Sequence, residues 1–249
     1  MALKEEFEKQ GNYLFKYRGI LPLIFLLAGI GAFILTEIYS TGFRDPDQRT
    51  IYRFICLFIS LVGLVIRVYT VGHTPKNTSG RNTEGQLADV LNTSGIYSVV
   101  RHPLYLGNFF MWLGVALLAE DVWFAGFFVF LYWVYYERIM FAEEQFLRKK
   151  FGSGYIDWAN ITPAFIPSFR NFTRPEFSFS WKKVLKKEKN GFFAIFLVFF
   201  IFQCTGNLII GEKVISFNWI FYATIFSGIL YLILKIIKRA TNLLDETDR

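Results

Sequence analysis

The chain has 249 residues, of which 53% are hydrophobic and 20% aromatic. A composition that apolar cannot cover an ordinary soluble surface, so a water-soluble enzyme of one or two domains is excluded. The formal net charge of +7 would suggest nucleic acid in a soluble protein, but in a membrane protein Lys and Arg must first be sorted by loop.

The first eighteen residues mix Lys4, Lys9, Lys16 and Arg18 with Glu5, Glu6 and Glu8. The apolar run 19–39 follows with no small-residue cleavage site behind it, which predicts an anchor and not a removed signal. Further runs at 52–72, 104–119, 122–141, 192–211 and 214–237 approach or reach the roughly 20 residues that a hydrocarbon core demands. The expected fold is all-α, a polytopic membrane helix bundle of about six transmembrane helices. Only Glu120 and Asp121 separate the third run from the fourth, which predicts a tight helical hairpin with an acidic tip.

Basic residues cluster in alternate loops. Lys76, Arg81 and Arg101 lie between the second and third runs, eleven more run from Arg138 to Lys189, and Lys235, Lys238, Arg239 and Arg249 close the chain. The remaining loops and their edges hold only Arg44, Arg49, Arg53 and Lys213. By the positive-inside rule both termini, the 73–103 loop and the 142–191 segment face the cytoplasm. Cys56 and Cys204 fall inside predicted spans, read as small buried hydrophobes with no disulfide between them.

Four parts are expected: an N-terminal pair of spans (1–72), a core carrying the polar motifs (73–168), a basic aromatic interfacial linker (169–191), and a C-terminal hairpin with its tail (192–249). In the core, Pro103 fits the first turn of the third span, and Phe141, Phe146 and Phe151 recur among charges as though the fourth span continues into water and stops near Gly152. In the linker, Phe177, Phe179, Trp181 and Leu185 interleave with five lysines, a pattern suited to lying on an anionic lipid surface. The last hairpin carries Gln203, Asn207 and Asn218 among apolar residues and is given a packing or lipid-facing role.

Two clusters could carry chemistry. In residues 95–108 (GIYSVVRHPLYLGN), Tyr97, Arg101, His102 and Tyr105 crowd a helix N-terminus. Free N–H groups, the helix dipole and the Arg101 fork suit an anion, and Gly107 would let a ligand approach the backbone. Glu143 and Glu144 form the second cluster, with Arg138 upstream. Adjacent acids point about 100° apart on a helix, so at most one faces a given pocket, leaving the other solvated or paired to Arg148. Together the clusters match S-adenosylmethionine. Arg101 or the helix N-terminus would take its carboxylate, Glu143 or Glu144 its ammonium, and Tyr97 or Tyr105 its sulfonium or adenine.

The sequence resembles the integral-membrane methyltransferases that include isoprenylcysteine carboxyl methyltransferases and phospholipid N-methyltransferases. That family shows G-x-Y-x-x-x-RHP-x-Y-x-G, a helical hairpin, then E-E-x-x-L-x-x-x-F-G-x-x-Y and prolines. Here stand Gly95, Tyr97, Arg101-His102-Pro103, Tyr105 and Gly107, then Glu143-Glu144, Leu147, Phe151-Gly152, Tyr155, Pro163 and Pro167. The resemblance covers roughly residues 60–168. By motif position it implies cofactor contacts from Asn92, Tyr97, His102, Tyr105 and Glu143. Arg138 is offset by one from the family's acceptor-side arginine, and Trp158 stands where many members carry Tyr.

The expected function is therefore S-adenosylmethionine-dependent methyl transfer to a membrane-embedded acceptor, a lipid head group (phosphate or amine) or a lipidated carboxylate. Expected cofactor contacts are Asn92, Tyr97, Arg101, His102, Tyr105, Gly107 and Glu143. Arg138 and Glu144 are the catalytic candidates, and Arg67, costly in hydrocarbon unless it snorkels or lines a cavity, joins Arg138 on the acceptor side. Two histidines with no Cys beside them give no metal site. A bacterial cytoplasmic membrane with the site facing the cytoplasm is the expected setting. The alternatives are an NADPH-dependent reductase of the steroid or sterol type, which usually has Asn where this chain has Leu104, and a non-enzymatic lipid-binding protein.

Overall fold

The computed structural model describes residues 2–75, 78 and 86–245. Lys76, Arg81 and Arg249, three of the charges in the loop sorting, lie outside the described residues. The described chain is helical, with α1 (Leu3–Lys16), α2 (Leu21–Ile38), α3 (Pro46–His73), α4 (Pro103–Leu117), α5 (Val122–Phe151), α6 (Ser153–Ile161), α7 (Trp181–Ile209) and α8 (Trp219–Ala240). Short 3-10 turns lie at Gly95–Ser98 and Phe169–Asn171. Four helices, α2, α3, α7 and α8, are long and apolar enough to cross a membrane. Their outward faces expose large side chains such as Leu27, Phe58, Phe226 and Ile236, as a lipid-facing surface requires. The α4 and α5 helices occupy the other two apolar runs, α4 being the short one at 15 residues.

The charged N-terminal segment is itself a helix. Acids at Glu5 and Glu6 and a base at Lys16 match its dipole. It lies against α5 through Gly11, where a Cβ would come within 2.0 Å of the Arg138 carbonyl oxygen. Tyr135 donates from its hydroxyl to the Leu14 carbonyl (2.9 Å). Helix α5 runs on past the bilayer-length stretch, as the recurring phenylalanines predict, and stops where Gly152 adopts a left-handed φ of 57°.

Helices α3 and α4 pack at close range through small residues. A Cβ on Gly63 would meet the Gly107 carbonyl at 2.4 Å, and one on Gly114 would meet the Ser60 hydroxyl at 2.2 Å. Gly107 is thus a helix-packing residue: a Cβ there would strike the Arg67 side chain at 2.6 Å. Where a ligand was expected to approach the Gly107 backbone, α3 lies against it.

The basic aromatic stretch is also different from its expectation. From Trp181 it is the first half of α7, continuous with the apolar span, and Ser180 caps it by accepting the Lys183 N–H (3.1 Å). Lys183 is buried and donates to the carbonyls of Thr74 and Pro75 just past the end of α3. Cationic donors are favoured at a helix C-terminus. The stripe Val184, Glu188, Gly191, Ile195, Val198 and Phe202 is spaced by three and four, and it faces the bundle.

Candidate active site

The RHP segment is held by main-chain hydrogen bonds before any side chain acts. Arg101 and His102 donate their N–H groups to Pro163 (2.9 Å) and Ala164 (3.2 Å), and Ser168 donates to Val99 (3.0 Å). Gly95, at φ 60°, donates to the Thr173 carbonyl (3.1 Å). The proline-bearing strap after α6 therefore pins residues 95–102, and Pro103 opens α4 where no N–H is needed.

The imidazole of His102 lies between the two glutamates of α5. Its Nε2 is 3.0 Å from Glu144 and its Nδ1 is 3.5 Å from Glu143. Tyr105, one turn along α4, donates its hydroxyl to Glu143 (2.6 Å). The guanidinium of Arg101 reaches Glu144 (3.1 Å) and donates to the Ala159 carbonyl (2.9 Å). Trp158 donates its indole N–H to the Tyr97 carbonyl (3.0 Å). Burial acts to lower the pKa of His102, yet its hydrogen bonds to the Glu143 and Glu144 carboxylates outweigh it and the net shift is upward. For Glu144 burial acts upward, and His102 and Arg101 overcome it so that the carboxyl falls below its usual value.

This cluster forms one end of a cavity of about 630 Å³. Asn92, Tyr97, Arg101, His102, Tyr105 and Glu143 all line it. Deeper in, the wall passes through Arg67 and Asn108 to Met111, Trp112 and Val115 of α4. The far side is α7, with Glu188, Gly191, Ile195 and Val198. Ala194, an exposed residue of α7, also lines the cavity.

Two sequence candidates lie outside this wall. Arg138 is on the face of α5 that α1 covers, its guanidinium over the Phe7 ring (3.6 Å) and paired with Glu137 (2.9 Å). In this arrangement the expected acceptor-side and catalytic candidate Arg138 packs against α1 and does not line the cavity. Glu144 does not face the cavity either. It is bound to His102 and Arg101 in place of Arg148, and it holds those two in position.

Other residues of the wall carry no sequence motif. Arg67 is held by Glu188 through two hydrogen bonds (2.8 and 2.7 Å) and by Asn108 (2.6 Å). Asn108 lies three residues after Tyr105 and shares its helical face, a spacing that would have found it. Glu188 stands among five lysines and reads as part of a solvated charge run, yet it is buried. Arg18, stacked over Phe15 (3.7 Å), joins the wall from the α1–α2 link. Among the described residues no group of three His, Cys, Asp or Glu is arranged to hold a metal ion.

Residues 51–154 match the phospholipid methyltransferase family. Over 147 residues the chain is 31% identical to a protein-S-isoprenylcysteine O-methyltransferase of Saccharomyces cerevisiae, covering 55% of this chain and 61% of the yeast protein. The enzyme of the same name from Xenopus laevis is 30% identical over 153 residues, covering 58% of this chain and 51% of its own. A nickel-cobalt-cadmium resistance protein of Alcaligenes xylosoxydans xylosoxydans is 32% identical over 88 residues, 35% of this chain and 41% of that protein. The chain thus spans less than two thirds of the curated relatives it matches. No solved structure matches it. Residues 51–154, which carry both the RHP segment and the glutamate pair, are thus the part of the chain that is similar to the phospholipid methyltransferase family.

Proposed function

We propose that this protein transfers a methyl group from S-adenosylmethionine to an anionic group on a lipid or lipidated acceptor. The observation that carries the reading is one continuous cavity with an acid- and tyrosine-rich end at the α4 N-terminus and an apolar end between α4 and α7. The polar end fits the methyl donor. Glu143 turns a carboxylate to the cavity for an ammonium group, Asn92 offers an amide, and the rings of Tyr97, Tyr105 and Trp158 offer faces for a cation or a purine. S-adenosylmethionine, when bound, supplies an electrophilic methyl on a sulfonium.

The protein's part is alignment and exclusion of water. Tyr105 and His102 fix Glu143 on the cavity side, while Arg101 and Glu144 fix His102 from behind. Arg18, Arg67, Arg101 and Lys187 line the cavity with Glu143 and Glu188, a cation-rich lining that supports a carboxylate or phosphate acceptor over an amine. Such an acceptor attacks without a general base, so Glu144 is not required as one. The acceptor's hydrocarbon would lie along Trp112, Val115, Ile195 and Val198 and enter past Ala194. The polar mouth would face the cytoplasm of a bacterial inner membrane, consistent with the basic loops.

Calorimetric titration of the detergent-purified protein with S-adenosylmethionine and with NADPH tests the reading. Saturable binding of S-adenosylmethionine is expected, weakened roughly tenfold to a hundredfold in Glu143→Gln by loss of a charge-assisted hydrogen bond. Binding of NADPH alone would replace methyl transfer with the reductase reading.

A further inference from the structure

A second cavity, of about 90 Å³, lies at the opposite end of the bundle from the first, among α3, α7 and the start of α8. Its polar lining is Thr50, Arg53, Gln203 and Asn218, and no carboxylate lines it. The two acids nearby, Glu37 and Glu120, pair with Arg49 at 2.5 and 2.8 Å and act on Arg53 only through space. Among the described residues neither the Arg53 guanidinium nor the Gln203 amide has a hydrogen-bond or ion-pair partner, although Gln203 is only 8% exposed. Asn218 accepts the Ile220 and Phe221 N–H groups on its Oδ1 (3.2 and 3.3 Å). That cap fixes the amide's orientation and leaves its NH2 group as a donor.

The lining is therefore rich in donors and poor in acceptors. Thr50 already donates to Pro46 (2.8 Å), but Arg53, Gln203 and Asn218 offer N–H groups, and the α8 N-terminus adds its dipole. Gln203 is buried while Arg53 and Asn218 are half-buried at the pocket's edge, and an oxyanion in the pocket would accept from all three. The volume admits a phosphate group and excludes a nucleotide or a whole lipid. Around the pocket the surface is apolar and aromatic. Phe54 stacks on Trp219 with ring centroids 4.9 Å apart, both are over 40% exposed, and Phe217 is 75% exposed. Spanning helices α3 and α8 both begin here, which is the depth of head groups and of interfacial aromatic residues.

We propose that this pocket binds the phosphate of a glycerophospholipid from the leaflet opposite the active-site mouth, with Arg53, Gln203 and Asn218 as its ligands and the acyl chains against Phe54 and Trp219. The last hairpin is expected to have a packing or lipid-facing role, and this site would add to it a specific contact with a phospholipid head group. It is independent of the methyl-transfer reading.

Native mass spectrometry of the delipidated full chain, titrated with phosphatidylglycerol, diacylglycerol or inorganic phosphate, tests it. Phosphatidylglycerol is expected to bind at one site at least about tenfold more tightly than diacylglycerol. Arg53→Gln and, separately, Gln203→Leu should each remove that preference while leaving the helical circular-dichroism spectrum and thermal midpoint in detergent close to the parent's, which shows that the variants are folded. Equal retention of the two lipids, or a preference that survives both substitutions, would overturn the proposal. Binding of inorganic phosphate at the same site with no gain from the lipid would overturn the assignment to a head group.

Discussion

His102 shows how a single buried imidazole can be held in one state by two carboxylates. Its pKa in the folded protein lies above the ordinary 6.5 because Glu143 and Glu144 outweigh burial. The stability this pairing contributes is thus complete below pH 6.5 and is lost as pH rises through the folded value. Glu144 is depressed below its ordinary 4.5, so its contribution is complete above that pH and is lost as pH falls through the folded value. The cluster stabilises most between about pH 4.5 and 6.5. Glu144→Gln should lower the His102 pKa, read by NMR titration of the imidazole, and an unmoved titration would show that Glu144 does not hold the ring. The motif residues of this cluster were legible because adjacent acids on a helix diverge by about 100°, which predicts one acid on the cavity and one behind it. The placement of Arg138 under α1 was not legible, because spacing within α5 does not say which of its faces another helix covers. The covering helix, α1, is short, charged and invisible to a search for apolar runs.

At the scale of elements, the contact between α3 and α4 positions Arg67 one turn from Gly63 and Asn108 one residue from Gly107. Small residues let helix backbones approach where hydrocarbon provides no drive for association. The atoms that a Cβ on Gly63 would strike, the Gly107 carbonyl oxygen at 2.4 Å and the Met111 nitrogen at 2.5 Å, belong to backbone and cannot swing away. Gly63→Ala should therefore cost about 1–3 kcal/mol by overpacking, read as a lowered thermal midpoint in detergent. Gly31→Ala, with nothing within 4 Å of its Cβ, should stay within about 0.5 kcal/mol of the parent. An equal loss in both would mean that close approach is not what these glycines provide. Helix α7 teaches a related lesson. Hydropathy divides it near residue 191, where charge gives way to apolar side chains, but the three-and-four spacing from Val184 to Phe202 crosses that division without a break. The helical period was the better guide, and the lysine run concealed it.

At the scale of the whole molecule, the family match ends at residue 154, yet the cavity does not close without α7. Glu188 supplies the only carboxylate on Arg67 among the described residues, and the pair joins α3 to α7 across the chamber. Its partners are well desolvated, with side-chain exposures of 19% for Arg67 and 5% for Glu188. Removing one member of such a pair is far more harmful than removing both, because it leaves a buried charge with no counterion. Glu188→Ala should destabilise the protein by about 3–5 kcal/mol, while Arg67→Met combined with Glu188→Met should recover most of the loss. Thermal unfolding of the two variants in one detergent measures this. The double variant also separates structure from chemistry. If Arg67 only ties helices together, the restored fold should restore the proposed methyl transfer. If its guanidinium meets the acceptor's anionic group, the double variant should be stable, bind S-adenosylmethionine as the parent does, and still fail to turn over.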